Sequence, residues 1–378
     1  MKLISILLTG LLLFSSLYGP QPVYPVLIEE FGIASTQVAL LQTATFIPLT
    51  LSPIIYGFIV DKRSPLKMLQ LSLLLLAIGE IFFAISTSFY MLLAARFFQG
   101  LFIPAGMISV VSYISTTYHK DNVQKYIAYY MASTMAGGVA GRVLVGFFST
   151  IYGWRISFVL LGISVFACYI VTMMLKNNTS ADQTDHSSLK DVLRQGEYVK
   201  PIFTVFFAFI VFSSIMNFYS IRLRELSPDL NEFYIGVAYI GSLFGSVTAY
   251  MTPRFASVLG SYKRTIISSF VIMLVALGLF RIPTVTTTIA TLFLFCGAFI
   301  VIHSSCSGLL NKYATVSKGS VNGVYFTVYY FGGVIGTSIP GFIYKNSGWN
   351  TFLLILTAST LIGLTLALFS KIETQTTE

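Results

Sequence analysis

The residues GGVAGRVLVGFFSTIYGW (137–154) recur later in the chain as GGVIGTSIPGFIYKNSGW (332–349). Eight positions of this window are identical at a constant shift of 195 residues, without a gap. A repeat at fixed spacing indicates two segments that adopt the same structure. The glycines favour close packing of helices in the small-xxx-small manner. We therefore predict that the two halves of the chain share one fold and that each contains this glycine-lined helix.

Apolar stretches of membrane-spanning length occupy most of the chain. Hydrophobic residues make up 55% of the sequence, charged residues only 10%, and the mean hydropathy is +0.80. About 20 apolar residues in a helix cross a hydrocarbon core about 30 Å thick. The sequence predicts an all-α integral membrane protein with twelve transmembrane helices in two six-helix halves. The predicted spans are 3–26, 36–60, 68–87, 89–115, 125–150, 155–175, 200–222, 233–256, 265–281, 286–310, 321–343 and 350–370.

One long polar stretch, Lys176 to Lys200, divides six predicted spans from the other six. We therefore predict an N-terminal half at 1–176, a cytoplasmic linker at 177–199 and a C-terminal half at 200–378. No small-residue cleavage site follows the first apolar run, so it is interpreted as a span and not as a signal peptide. The cysteines, all in predicted spans, show no metal-ligand spacing and are interpreted as inert apolar residues.

The distribution of basic residues predicts the orientation. With both termini in the cytoplasm, sixteen of the 23 Lys and Arg residues lie in cytoplasmic loops, as the positive-inside rule requires. Membrane insertion thus accounts for the net charge of +9. A nucleic-acid partner is excluded because the chain has no soluble basic domain.

Two motifs resemble the major facilitator superfamily. Gly57 to Arg63, after the second predicted span, is similar to the start of the signature between spans two and three, although Ser64-Pro65-Leu66 departs from its continuation. Arg96-Phe97-Phe98-Gln99-Gly100 resembles the Arg-x-x-Gln-Gly signature of span four. The resemblance implies that Asp61 serves the cytoplasmic gate and that Arg96 takes part in proton coupling. A purely topogenic loop at Asp61 is the alternative.

Two further segments resemble the bacterial inner-membrane subgroup of drug and arabinose efflux permeases. They are Tyr18-Gly19-Pro20-Gln21-Pro22 in span one and the glycines around Arg142 in span five. The resemblance implies a multi-pass protein of the bacterial inner membrane that exports its substrate.

Three ionisable residues are predicted within the membrane: Glu80, Arg96 and Arg142. A charge at mid-bilayer costs at least about 2.5 to 3.5 kcal/mol, so such residues have partners or functions. Glu80 and Arg96 stand eight positions on either side of Ser88, which places them at one depth, with Arg142 at a similar level. One interpretation is a structural ion pair of Glu80 with Arg96. The other is that Glu80 carries the coupling proton.

His303 is the only histidine in a predicted span. Its side chain suits proton exchange, and a hydrogen-bonded packing role is the alternative. It completes the predicted gating and coupling set with Asp61, Arg96, Glu80 and Arg142.

Polar and aromatic side chains on the helices that line the cavity in this family are candidate substrate contacts. They suit a small amphipathic solute, neutral or anionic, although helix packing explains such residues equally well. The candidates are Tyr18, Gln21, Gln42, Asn217, Tyr219, Tyr239, Tyr325, Tyr329 and Tyr330. The candidate helix-packing glycines are Gly137, Gly138, Gly141, Gly146, Gly332, Gly333, Gly336 and Gly341.

These features favour a proton-coupled secondary active transporter that exports a small organic solute. No nucleotide-binding loop is present to use ATP. A membrane enzyme would need clustered acid-base or metal-ligating residues, so catalytic residues, metal and cofactors are not expected. The open alternatives are an uptake symporter and a non-transporting sensor. The expected partners are the solute, protons and the lipid bilayer, and the protein is expected to be a monomer.

If Asp61 serves the gate, Asp61→Asn should reduce the initial transport rate severalfold and leave membrane insertion intact, because the substitution removes one charge and little volume. Uptake into inverted vesicles measures this. Asp121→Asn, in another predicted cytoplasmic loop, is the matched control. Equal, normal rates for both variants would contradict the gate assignment.

Overall fold

The computed structural model describes residues 2–60, 64–175, 196–313 and 318–370, and the regular secondary structure within them is helical. Asp61 and most of the predicted linker lie outside the described residues. The helices are α1 Lys2–Tyr18, α2 Tyr24–Phe31, α3 Ser35–Val60, α4 Pro65–Ala84, α5 Phe89–Thr117, α6 Lys120–Tyr152, α7 Trp154–Met173, α8 Gly196–Leu226, α9 Glu232–Ala238, α10 Phe244–Leu259, α11 Tyr262–Leu279, α12 Val285–Lys312 and α13 Lys318–Leu368, with 3-10 turns at Gln21–Val23 and Tyr239–Leu243.

The described part of the chain contains the predicted number of spans. Ten of its helical stretches are long and apolar enough to cross a membrane. The last of these, Val321–Leu368, contains two spans, because the backbone leaves the helical conformation at Gly348 (φ +76°). α3 is a further, largely apolar helix of 26 residues. The predicted all-α membrane fold with twelve spans is therefore confirmed.

Short turns with capping residues separate these helices. A side-chain oxygen at the N-cap accepts a hydrogen bond from the backbone N–H three residues later, which satisfies a donor left open at the helix start. The N-caps of this kind are Ser64, Ser88, Asn231, Ser261 and Thr284.

The chain forms two compact units. The first consists of Met1–Thr184 together with Asp229–Tyr239, and the second of Asp185–Pro228 together with Ile240–Glu378. The short helix α9 therefore packs in the first unit although it follows α8 in sequence. A Cβ on Gly146 of α6 would touch the backbone of Glu232, and a Cβ on Gly236 of α9 would touch that of Arg142. Glycines at both positions allow the two helices to lie in backbone contact.

The repeat found in the sequence is also a repeat of contacts. A Cβ on Gly137 would overlap the backbone of Leu11 in α1. In the second unit, a Cβ on Gly332 would come within 2.8 Å of the carbonyl oxygen of Phe206 in α8. Leu11 and Phe206, like the two glycines, are 195 residues apart. The same shift thus relates both partners of each helix pair.

One helical turn later the correspondence continues. A Cβ on Gly141 would overlap the backbone of Ser15, and a Cβ on Gly336 would overlap that of Ile210. Ser15 and Ile210 are again 195 residues apart. The helix ends are related by the same shift. α7 ends at residue 173 and the last span ends at residue 368, which is 195 residues later.

The other predicted packing glycines have varied surroundings. A Cβ on Gly341 would lie 2.5 Å from the ring of Phe218, whereas one on Gly138 would make ordinary contact, 3.5 Å from the ring of Tyr18. A Cβ is therefore excluded at Gly341 unless the ring of Phe218 moves, and it is accommodated at Gly138.

Leucine at Gly141 or Gly336 should lower the thermal unfolding temperature, because its side chain would meet backbone that cannot move aside. Overpacking typically costs about 1 to 3 kcal/mol, and contact with backbone should place both variants at or above that range. Gly323→Leu is the control, because a Cβ at Gly323, also in α13, would meet nothing within 4 Å. Thermal unfolding in detergent micelles measures the three variants. A drop for Gly323→Leu as large as for Gly336→Leu would contradict the packing role.

Candidate functional site

The first span is broken at Tyr18-Gly19-Pro20, between α1 and α2. The N–H of Gly19 still donates to the carbonyl of Ser15 at 2.7 Å. Pro20 has no N–H, so the carbonyl of Ser16, four residues earlier, has no helical donor. A buried carbonyl without a donor is costly, particularly in lipid. The sequence thus creates an acceptor in the interior of the first unit.

The guanidinium of Arg96 in α5 donates hydrogen bonds to this region of the backbone. Its Nη1 donates to the carbonyl of Ser16 at 2.9 Å, and its Nη2 donates to that of Leu17 at 2.8 Å. Nη1 also donates to Oε1 of Gln99 at 2.6 Å, and Nε2 of Gln99 donates to the carbonyl of Gly79 at 3.0 Å. Arg96 and Gln99 are fully buried. The Arg-x-x-Gln motif therefore ties the break in the first span to α4.

Glu80 lies beside this network and outside its hydrogen bonds. The residue is fully buried next to Ser16, Arg96 and Gln99. Neither carboxyl oxygen has a hydrogen-bond partner in the described part of the chain. Gly162 of α7 covers the carboxyl stem, since a Cβ there would lie 3.2 Å from that of Glu80. Glu80 is thus enclosed beside polar side chains, without a direct hydrogen bond to any of them.

A direct ion pair of Glu80 with Arg96, one of the two interpretations of their spacing, is not formed. The two residues lie close together, as their equal distance from Ser88 indicated. However, the guanidinium donates to backbone carbonyls and to Gln99, because Pro20 leaves the carbonyl of Ser16 in need of a donor. Helical spacing could place the two side chains at one depth, but it could not reveal this competing acceptor.

Arg142 forms a second buried cationic site on α6. Its guanidinium lies 4.6 Å from the ring centroids of both Tyr18 and Tyr239. Its Nε donates to Oε1 of Gln21 at 2.7 Å, and its Nη1 donates to the carbonyl of Gly138 at 2.8 Å. Cation–π contacts and hydrogen bonds together hold the charge in place. The structure therefore brings three candidate substrate residues around Arg142.

Tyr24 of α2 lies between the two arginines and was not among the predicted residues. It is fully buried and is close enough to Arg96 and to Arg142 for electrostatic interaction with each. Its hydroxyl has no hydrogen-bond partner in the described residues. The sequence around Tyr24 does not indicate that this tyrosine lies between the two arginines.

In the second unit, His303 belongs to an aromatic cluster. Its ring centroid lies 5.1 Å from that of Tyr329 and 5.6 Å from that of Tyr325, both edge to face. Tyr329 stacks on Phe209 at 3.7 Å. Phe212 and Phe299 extend the cluster, stacked at 4.0 Å. The structure thus groups His303 with two predicted tyrosines, and it adds phenylalanines that no sequence motif marks.

The remaining candidates are buried at separate places. Gln42 in α3 is 1% exposed, and its amide has no hydrogen-bond partner in the described part. Asn217 donates to the carbonyl of Thr337 at 3.4 Å. Tyr219 is fully buried in α8, and Tyr330 packs edge to face on Phe209 at 6.2 Å. Their contacts with substrate stay predictions.

Glu30 in α2 and Glu225 in α8 hold equivalent positions of the repeat, and each accepts hydrogen bonds that the sequence analysis missed, from donors that are not equivalent. Glu30 accepts hydrogen bonds from Nε1 of Trp154 and from Arg155, both at 2.6 Å. Glu225, 195 residues later, accepts from the hydroxyl of Tyr344 at 2.6 Å and from Arg222 at 3.1 Å. The repeat in the sequence could have located this pair. Among the described residues, no three His, Cys, Asp or Glu side chains lie together as a metal site would require.

Comparison with known proteins identifies the family. The family model described as Major Facilitator Superfamily matches residues 6–337, so the chain belongs to this superfamily. An uncharacterized transporter of Buchnera aphidicola subsp. Schizaphis graminum is 24% identical over 93% of this chain and 88% of its own. The inner membrane transport protein YnfM of Escherichia coli is 24% identical over 90% of this chain and 83% of its own.

A solved structure agrees with the fold. The crystal structure of a mutant form of the nucleoside transporter NupG matches with a TM-score of 0.82 at 13% identity, over 97% of this chain and 99% of that one. The protein is therefore a multi-pass membrane protein with the fold of a secondary transporter.

If Arg96 caps the carbonyl freed by Pro20, Arg96→Ala should be destabilising by about 3 kcal/mol or more, because each hydrogen bond from a charged group contributes about 1.5 to 3 kcal/mol. Adding Pro20→Ala should recover part of this loss, because alanine supplies the N–H that Ser16 lacks. We expect a coupling energy of at least about 1 kcal/mol in the double-mutant cycle, measured as the free energy of unfolding in detergent.

Pro22→Ala is the matched control for this cycle. Pro22 lies in the same turn, but Arg96 does not bind the carbonyl of Tyr18, four residues before it. Arg96→Ala and Pro22→Ala should therefore be additive. If the losses of stability for Arg96→Ala and Pro20→Ala were also additive, the capping role would be contradicted.

Proposed function

We propose that this transporter couples solute export to proton entry and that Glu80 carries the proton. The solute is a small amphipathic organic molecule. The observation that carries the proposal is the environment of Glu80: a fully buried carboxyl, without a hydrogen-bond partner among the described residues, beside a guanidinium that is bonded elsewhere.

The charge state of Glu80 links it to the backbone break. A charged carboxylate buried without hydrogen bonds is strongly disfavoured, and a bound proton removes this cost. The arrangement therefore suits the protonated acid. When water reaches Glu80 and the proton leaves, the new negative charge attracts Arg96. Arg96 can approach it only by giving up hydrogen bonds to Ser16 and Leu17.

This exchange of partners provides the coupling step. Loss of Arg96 would again leave the carbonyl of Ser16 without a donor, which favours a change of geometry between α1 and α2. Gln99 bonds to Arg96 and to the residue before Glu80, so it can follow either arrangement. Proton release would thereby change the shape of the first span, which we propose lines the solute path.

The surroundings of the other candidates support the solute class. Arg142 between Tyr18 and Tyr239 combines a positive charge with aromatic faces. The cluster around His303 adds further rings. Such surfaces suit a solute with an apolar part and a neutral or anionic polar part. Export is the direction implied by the resemblance of the Tyr18–Pro22 segment to efflux permeases.

Glu80→Gln tests the proposal, because glutamine keeps the shape and removes the titrating group. In proteoliposomes with a pH-sensitive dye, solute-driven proton movement should fall at least about tenfold, a change of about 1.4 kcal/mol. Exchange of labelled for unlabelled solute should continue. The variant should also be as stable as the unmodified protein or more so, because no hydrogen bond is lost.

Glu30→Gln is the control, since this carboxylate is exposed and paired with Arg155. It should retain proton coupling. Normal proton movement in Glu80→Gln would exclude Glu80 as the carrier. Solute movement in the same direction as protons would instead favour the uptake symporter.

A further inference from the structure

Tyr24 begins α2, just after the 3-10 turn that follows the break in the first span. The charged and titratable groups close to it are Arg96 of α5, Arg142 of α6 and Tyr239 of the second 3-10 turn. The residue is fully buried, and its hydroxyl has no hydrogen-bond partner in the described part of the chain. A buried hydroxyl without a partner is costly, so its presence at the centre of this charged cluster calls for a function.

Arg96 has an unpaired donor near this hydroxyl. Its Nη1 and Nη2 donate to the carbonyls of Ser16 and Leu17 and to Gln99, whereas its Nε has no hydrogen-bond partner among the described residues. A guanidinium N–H can only donate, and the oxygen of a tyrosine can accept. Two buried groups that can satisfy each other are thus close together and unbonded. The guanidinium would have to turn away from the two carbonyls to join them.

The charged state of Glu80 provides the reason for that turn. In the transport proposal, on which this inference rests, loss of the proton draws Arg96 away from the carbonyls of the first span. A hydrogen bond from Nε to Tyr24 would offset part of the hydrogen bonding that is lost. The first unit would then have two arrangements, with different partners for Arg96 in each, as a two-state element requires.

We infer that the Tyr24 hydroxyl is the alternative partner of Arg96: it accepts a hydrogen bond from Nε when Glu80 is charged and is unbonded when Glu80 carries its proton. Tyr24 is therefore a positioning residue that passes the change at Glu80 to α2. The backbone N–H of Tyr24 donates to the carbonyl of Gln21, whose side chain accepts from Arg142. A movement of Tyr24 thus alters the surroundings of the second buried arginine.

Tyr24→Phe tests the inference, because phenylalanine removes the hydroxyl and keeps the ring. The unfolding equilibrium is measured with denaturant in detergent micelles. In acidic buffer, where Glu80 is protonated, the variant should be as stable as the unmodified protein, because the hydroxyl has no hydrogen bond to lose. In mildly alkaline buffer its unfolding constant should rise at least about tenfold, because a hydrogen bond from a charged donor is then lost.

Two control variants accompany this measurement. In a Glu80→Gln background, Tyr24→Phe should be neutral in both buffers, because Arg96 is never drawn from the backbone. Tyr130→Phe is the matched control, since Tyr130 of α6 is also fully buried and its hydroxyl also has no partner among the described residues. It should be neutral in both buffers.

Three results would overturn the inference. The first is a neutral Tyr24→Phe in alkaline buffer. The second is an equal loss of stability in both buffers, which would show a packing role alone. The third is an alkaline loss that persists in the Glu80→Gln background, which would show that Tyr24 itself ionises beside the arginines. The transport proposal is decided separately, by proton movement in proteoliposomes of Glu80→Gln, so the two can fail independently.

Discussion

In a membrane, every backbone polar group must find its partner within the protein, because lipid offers none. Pro20 breaks this rule for the carbonyl of Ser16, and Arg96 restores it with a hydrogen bond of 2.9 Å. The placement of Gln99 and the lack of a direct ion pair between Arg96 and Glu80 follow from that bond. A guanidinium that serves the backbone of α1 is not available as the counter-ion of a nearby acid. The proposed proton site therefore originates in a missing backbone N–H.

The second constraint is the close approach of helix pairs at glycine. Gly141 against Ser15 and Gly336 against Ile210 allow backbone contact between the first and fifth spans of each unit. Without a hydrophobic driving force between helices in lipid, packing of this kind and interhelical hydrogen bonds provide the association. The hydroxyl of Ser15 adds such a bond to the carbonyl of Gly137 at 3.0 Å. The contact is thus apolar and polar at once.

The sequence predicted the helices well because membrane spans have a strong compositional signal. It also located the glycine contacts, since Gly137 and Gly332 belong to a repeat that only a shared fold explains. Of the two interpretations of Glu80 and Arg96, the direct ion pair is not formed, for a physical reason. Spacing fixes depth along a helix, but the partner of a side chain depends on every acceptor within reach, including backbone carbonyls of another span.

The aromatic cluster around His303 was predictable only in part, for a different reason. Phenylalanine is common throughout this chain, so Phe209 and Phe299 carry no signal that separates them from lipid-facing rings. Only the three-dimensional arrangement shows that they stack beside Tyr329. The position of Glu30 was accessible through the repeat, because Glu225 stands at the equivalent position, but the donors to the two carboxylates were not.

The two units share a scaffold and differ in chemistry, and the shift of 195 residues explains why. The position of Pro20 in the first unit corresponds to Ile215 in the second, and α8 accordingly continues without a break from Gly196 to Leu226. An unbroken helix supplies its own donors, so no charged side chain is needed to cap it. The position of Arg96 is taken by Thr291 and that of Glu80 by Val275. The first unit thus has both the backbone break and the buried charges. The second unit has neither at the equivalent described positions. A buried arginine is tolerated in the first unit because the free carbonyl of Ser16 needs a donor. At the same place, a proton on Glu80 can alter the hydrogen bonds that hold the first span in its broken shape.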